Sequence, residues 1–159
     1  MNMKPMPIIR KSKDGRPMHD SVGAIIKDGQ GRYFLMDRKY EPYGFAGMAG
    51  HVDEGEQPLE ALMREGREEL HTDLRDVVLL REEEVPWNFC WKAPVHYWRL
   101  YQATVDPALV NVDSHEARRS GWFTKEEIWA ATYVREGVEY PLILEDVWRH
   151  WFELEGIVD

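Results

Sequence analysis

The stretch that decides the fold is Gly50-His51-Val52-Asp53-Glu54-Gly55-Glu56, then Gln57-Pro58-Leu59-Glu60-Ala61-Leu62-Met63, then Arg64-Glu65-Gly66-Arg67-Glu68-Glu69-Leu70-His71-Thr72. Residues 58–70 are mostly helix formers, with a proline at the start, where its missing N–H costs nothing. On a helix turning about 100° per residue, Glu65, Glu68 and Glu69 fall within an arc of about 100°, and Leu59, Leu62, Met63, Gly66 and Leu70 fall on a separate arc of similar width. One face should pack and the adjacent face should be acidic. Between Asp53 and Glu69 stand seven acids against two bases, Arg64 and Arg67, a net of −5 that holds more than half of the chain's −9. Carboxylates at this spacing repel one another. Oxygen ligands on a rigid helix suit Mg²⁺ or Mn²⁺, which bridge to phosphate oxygens and activate water. A merely solvated acidic face is the alternative, and spacing alone leaves both open.

Around this stretch, 159 residues with 43% hydrophobic and 31% charged describe a single domain, residues 1–159, with material for one sizeable core. The negative balance is the opposite of the basic footprint that duplex DNA or an anionic membrane attracts, so no broad nucleic-acid surface is expected. No run approaches the ~18–20 apolar residues that span a bilayer, and residues 1–10 lack the apolar core of a signal peptide. The lone Cys90 cannot form an internal disulfide, which points to a reducing cytoplasm. Beside Phe89 and Trp91, with no second cysteine near, Cys90 reads as a part-buried thiol rather than a nucleophile or a metal ligand.

Residues 6–10 read as a short strand in the N-terminal segment 1–20. Residues 21–27 and 33–37 read as strands of a β-hairpin closed by Asp28-Gly29-Gln30-Gly31. Residues 41–55 read as loop or irregular strand, residues 77–85 and 95–105 as strands, and residues 86–94 as a proline-bounded loop. A polar stretch over 106–120 precedes Gly121-Trp122-Phe123, and Thr124 with Glu127 forms a capping box that opens a short helix. The last helix is predicted over residues 141–155, with Leu144, Val147, Trp148, Trp151 and Phe152 at helical spacing. Strands on both sides of a central helix, with another helix at the end, imply an α/β fold with a mixed β-sheet between helices.

The quoted stretch resembles the Nudix box: Gly, five residues, Glu, seven residues, Arg-Glu, an aliphatic, any residue, Glu-Glu, any residue, Gly, aliphatic. Gly50, Glu56, Arg64, Glu65, Glu68 and Glu69 match it in type and spacing. The resemblance implies a Nudix-type α/β/α sandwich and a metal-dependent pyrophosphohydrolase acting on a nucleoside diphosphate linked to another group. It also implies that Glu65, Glu68 and Glu69 hold Mg²⁺ or Mn²⁺, that the carbonyl of Ala49 completes the coordination, that Arg64 orients Glu65 or its neighbour, and that Glu56 braces the loop. The partner would be a small nucleotide, a nucleoside triphosphate first and a nucleotide sugar such as ADP-ribose second. A non-catalytic nucleotide-binding module on the same fold is a rival whose signature is a lost carboxylate, and none is lost. A homodimer is common in such proteins. Three positions depart from the box. Gly66 replaces an aliphatic on the packed face, where a neighbour would approach closely, His71 replaces the glycine that ends the helix at positive φ, and Thr72 replaces the last aliphatic. His71 reads as a helix-terminus residue.

Outside the box, Glu116 matches a loop position that in many such proteins supplies a further acid, with a solvated loop residue as the alternative; His115 is a weaker candidate. Arg38 and Lys39, at a strand end, are candidates for phosphate contact. Trp87, Phe89 and Trp91 in the proline-bounded loop offer a platform for a nucleobase or a dimer contact. Tyr97 and Trp98 point to opposite faces of their strand, so at least one of them belongs to the core.

Overall fold

The computed structural model describes residues 4–90 and 92–159. Among these residues, ten strands and three α-helices occur in the order β1 (Ile9–Lys11), β2 (Pro17–Lys27), β3 (Tyr33–Arg38), β4 (Phe45–Ala46), β5 (Met48–His51), α1 (Pro58–Leu70), β6 (Arg75–Val85), β7 (Val95–Thr104), β8 (Ala117–Phe123), α2 (Lys125–Ala130), β9 (Thr132–Arg135), β10 (Val138–Pro141) and α3 (Asp146–Leu154). Among the described residues, no helix is long and apolar enough to cross a membrane.

The sheet is organised by β2. One edge of this strand runs parallel to β7 over its whole length, from Met18 opposite Val95 to Lys27 opposite Thr104. The other edge is shared in turn by β1, by β5 and, at Lys27 alone, by β3. β3 then pairs antiparallel with β8 and β4, and β6 pairs antiparallel with β7. The sheet is therefore mixed. The predicted β2–β3 hairpin pairs only beside its turn, at Lys27 and Tyr33, because farther along β5 pairs with β2 and β4 with β3.

Strand alternation builds two cores. Val22, Ala24 and Ile26 of β2, with Phe34, Met36, Tyr101 and Ala103, pack under Ala61, Leu62 and Leu70 of α1. Ile25, Leu35, Trp98 and Leu100 face the other way and pack with Ile128 of α2 and Val147, Trp148, Trp151 and Phe152 of α3. The result is the α/β/α sandwich. Burying each of the large α3 side chains is worth roughly 1.5–3 kcal/mol or more.

Helix α1 begins with proline and ends at His71, whose φ of 57° is left-handed and whose N–H donates to the Arg67 carbonyl at 3.1 Å. His71 thus occupies the helix-terminus position in the conformation that glycine would favour. Gly66 is buried, and a β-carbon there would lie 3.1 Å from Leu74 Cγ, the close approach expected of that position. Leu59 departs from the expected packed face: it is exposed, and Ala61 takes its place in the core.

Three other expectations need correction, and a hairpin stands where the sequence carried no reading. The N-terminal strand starts later than residue 6, because residues 6–8 run instead against the box, with Ile8 and Glu54 bonded to Val52 and Met6 backbone groups. The polar stretch ends earlier than residue 120, because Ala117 to Ser120 pair with β3. The segment between α2 and α3 forms the β9–β10 hairpin, turned by Glu136 and Gly137, both at positive φ. The last helix starts only at Asp146, since Pro141 ends β10 and Leu144 bridges to Phe45. Leu144 is buried in the same core as the α3 side chains, so burial held while the local conformation differed. Thr124 accepts from Glu127 N–H and Glu127 accepts from Thr124 N–H, so α2 opens on the predicted capping box.

Candidate active site

The centre of the acidic region is Arg64. Its Nε and Nη2 donate to the two oxygens of Glu56 at 2.7 and 3.0 Å, and its Nη1 donates to Glu65 at 2.8 Å and Glu68 at 3.2 Å. Nη2 also donates to the His51 carbonyl at 2.9 Å and lies 3.4 Å from Asp53. Glu56 in turn accepts from the Asp53 N–H at 2.9 Å. One planar guanidinium thus ties the loop 51–56 to the first two acids of the helix face, a task suited to its fixed fork of donors. Glu56 raises the affinity of Arg64 for its proton further, followed by Glu65.

The three helix carboxylates differ in environment. Glu68 is more than half exposed. Glu65 is largely shielded, and that desolvation raises its carboxyl to about 7 against the pull of Arg64, with Glu68 and Asp53 adding repulsion. Glu69 turns away from Arg64 and accepts from the Ala49 N–H; burial, then Glu65 and Glu116, push its carboxyl well above the usual range. Its Oε2 is shielded from solvent and has no hydrogen-bond partner among the described residues. Glu69 lines a small cavity of about 30 Å³ with Met36, Arg38, Ala46, Gly47, Ala49 and Glu116. Tertiary structure therefore brings Glu116, exposed on the turn before β8, to the same cavity as Glu69. Arg38 donates through Nε to the Pro42 carbonyl at 2.7 Å and lines both this cavity and a neighbouring one.

That neighbour, of about 170 Å³, is lined by Ser21, Arg38, Ala49, Gly50, His51, Phe89, Cys90, His96, Trp98 and Glu145 among others. Phe89 stands at it and is 63% exposed. Trp87 packs edge-on against His150 with centroids 5.4 Å apart and lines neither cavity. Trp91 lies outside the described residues. Trp98 is core, and Tyr97 lies under the guanidinium groups of Arg10 and Arg99. Lys39 reaches the Ser114 carbonyl at 3.3 Å, and His115 is exposed in the same turn as Glu116; neither lines the cavities.

Sequence reading missed two groups here. Glu145 caps α3 from within the predicted helix, is buried, and has its carboxyl raised by that burial. Glutamate is not among the favoured cap residues, so no local signal marked it. His19, His51 and His96 lie far apart in the chain, and burial lowers the basicity of all three, His51 to about 4 with help from its two neighbours.

A family model for the NUDIX domain matches residues 17–143. Among solved structures, a MutT NUDIX hydrolase from Burkholderia pseudomallei aligns at 23% identity over 86% of this chain and 96% of its own, with a TM-score of 0.67. A MutT protein from Methanosarcina mazei Go1 aligns at 22% identity over 89% and 96%, with a TM-score of 0.60. An Ap4A hydrolase from C. elegans aligns at 23% identity over 68% and 81%, with a TM-score of 0.52. No curated protein matches significantly.

Proposed function

Because the chain belongs to the NUDIX domain family, whose hydrolases act on phosphoric anhydride bonds, we propose that it is a divalent-cation-dependent pyrophosphohydrolase acting on nucleoside triphosphates. The observation that carries this reading is Glu69 Oε2, shielded and without a partner among the described residues, in a cavity shared with Arg38, Ala49 and Glu116. A desolvated carboxyl oxygen without a partner is costly in the bare protein, and a hard cation offsets that cost.

The residues present fit Mg²⁺ or Mn²⁺. Glu65, Glu68 and Glu69 would hold it, with the Ala49 carbonyl beside them. When bound, such a cation neutralises phosphate oxygens and lowers the pKa of a water. Glu65 and Glu68 are spread along Arg64 while Glu69 faces elsewhere, an open arrangement that suits a cation sharing its coordination with phosphate and water rather than a closed protein cage.

The rest of the reaction falls to the chain's own groups. Arg38 stands at the junction of the two cavities, placed to pair with a phosphate while the nucleoside occupies the larger one against Phe89. Glu69 and Glu116 face the smaller cavity together, so either can accept the proton of an attacking water. Arg64 keeps Glu65 in one rotamer through the reaction. A phosphoryl transition state requires mainly such positioning and charge neutralisation. The retained carboxylates favour catalysis over binding alone, and a lone cysteine accords with a reducing cytoplasm.

The test is a panel of nucleoside triphosphates, nucleotide sugars including ADP-ribose, and dinucleoside polyphosphates, each with and without Mg²⁺. Metal-dependent release of pyrophosphate from triphosphates is the expected result. Preference for ADP-ribose moves the substrate within the class, and no turnover of any compound overturns the reading.

A further inference from the structure

Gly50 and His51 are consecutive on β5 and point to opposite faces of the sheet. Gly50 meets Glu65, whereas His51 meets a second cluster on the α3 side. The pairing register builds that cluster. His19 is the direct partner of His96 in the parallel β2–β7 ladder, and His51 stands opposite Ser21, two residues from His19 on the same face. Cys90 reaches in from the loop between β6 and β7. It is pinned there by its N–H to the Ala93 carbonyl at 2.8 Å and by the Ala93 N–H to its own carbonyl at 3.2 Å.

We propose that His19, His51, Cys90 and His96 form a zinc site, distinct from the carboxylates of the box. One nitrogen of each imidazole and Cys90 Sγ all lie within 4.8 Å of one another. His51 Nε2 is 3.3 Å from both His19 Nδ1 and His96 Nε2, and Cys90 Sγ is 3.6 Å from His19 Nδ1. Zinc bonds of about 2.05 Å to nitrogen and about 2.3 Å to sulfur, at tetrahedral angles, place two nitrogens about 3.3 Å apart and nitrogen and sulfur about 3.6 Å apart. Three of the six separations agree with that geometry, and the other three are no longer than 4.8 Å. A thiolate with imidazoles is also a donor set that selects zinc over Mg²⁺.

Two further observations point to a ligand rather than to packing. His96 Nδ1 lies 2.7 Å from the Asn88 carbonyl oxygen, which only accepts, so Nδ1 carries the hydrogen and Nε2 presents a lone pair to the cluster. Metal-ligating histidines are oriented in this way by their outer partners. His19 is 1% exposed and offers Nδ1, the ring nitrogen nearest both His51 and Cys90, to the cluster. Hydrogen bonding within the cluster satisfies it poorly, because a single N–H on His51 Nε2 faces two other ring nitrogens. Zinc here would fasten the loop 86–94, which carries Phe89, to three strands and so fix one wall of the larger cavity.

The site is tested on the full chain, stripped with a chelator and titrated with Co²⁺ in excess Mg²⁺, which occupies the carboxylates. Tetrahedral cobalt absorption with a sulfur-to-cobalt charge-transfer band should saturate at about one equivalent, and Zn²⁺ should bleach it. Cys90→Ser should abolish the charge-transfer band and weaken zinc binding by about a hundredfold or more. His51→Gln should also weaken cobalt binding, whereas Glu69→Gln should leave the spectrum unchanged. No visible absorption, or a spectrum indifferent to both Cys90→Ser and His51→Gln, overturns the proposal. Neither result depends on whether the protein hydrolyses nucleotides.

Discussion

The carboxyl group of Glu65 occupies the space that a β-carbon on Gly50 would fill. A glycine at the start of the box and an acid fifteen positions later are therefore one steric unit: the missing side chain of the first is the seat of the second. The same acid is gripped from its other side by Arg64 at 2.8 Å, so its position is fixed from strand and helix together.

Gly50→Ala should accordingly displace Glu65 without disturbing the rest of β5. A shift of about 1 Å at a reacting group costs on the order of a hundredfold in rate, so kcat should fall by that order while the fold is retained. Steady-state kinetics beside a circular dichroism spectrum checks both halves, and full activity in a folded variant would separate Gly50 from the chemistry.

Glu69→Gln removes a charge from a buried carboxyl group that burial and neighbouring acids already push toward neutrality. Stability should be unchanged or slightly higher, whereas turnover should fall by about a hundredfold or more, the scale for losing one preorganised electrostatic group. Thermal unfolding and pyrophosphate release, measured on the same preparation, distinguish this outcome from simple misfolding.

Arg64→Ala should be the most damaging single change in the box. It strands Glu56 and Glu65, both largely shielded, without their cation. Removing one member of a buried pair costs several kcal/mol, and partial exposure of Arg64 reduces this to about 2–3 kcal/mol. Arg64→Lys should recover only part of the loss, because one ammonium cannot serve Glu56, Glu65 and the His51 carbonyl together. Urea midpoints of the three proteins report the order.

Glu65 also sets a pH dependence. Its carboxyl stands at about 7 in the folded chain against 4.5 unfolded. Between those values the folded chain holds a proton that the unfolded chain has released, so stability falls as pH rises through this window. The contribution of Glu65 is about 3 kcal/mol across it. Urea midpoints measured in chelator from pH 4.5 to 7.5 should decline. Glu65→Gln should flatten that decline, and Mg²⁺ should restore stability at the upper end. A slope unchanged by Glu65→Gln would assign the proton to another group.

Much of this protein is local and was legible in its sequence. The limits of α1, the capping box at Thr124 and the burial of Gly66 follow from propensity, period and cap chemistry, which act over a few residues, whereas the positive φ at His71 was implied by the box glycine it replaces. The errors fell where a distant partner overrode the local pattern. Leu144 has helical spacing with Trp148 and Trp151, yet its backbone bridges to Phe45, and the helix waits for Asp146. Residues 117–120 are polar, yet β3 recruits them as a strand.

The sequence by itself determined that thirteen residues would form an acidic helix, and the six matching box positions indicated the family. Spacing along a helix fixes which side chains share a face, whatever packs against it. Only the tertiary structure decided that Glu116 would join Glu69, that Arg38 would stand between two cavities, and that His19, His51, Cys90 and His96 would converge. Those meetings depend on the register of β2 against β5 and β7, and that register is settled by which strands bury their apolar faces together, across separations no periodicity can see.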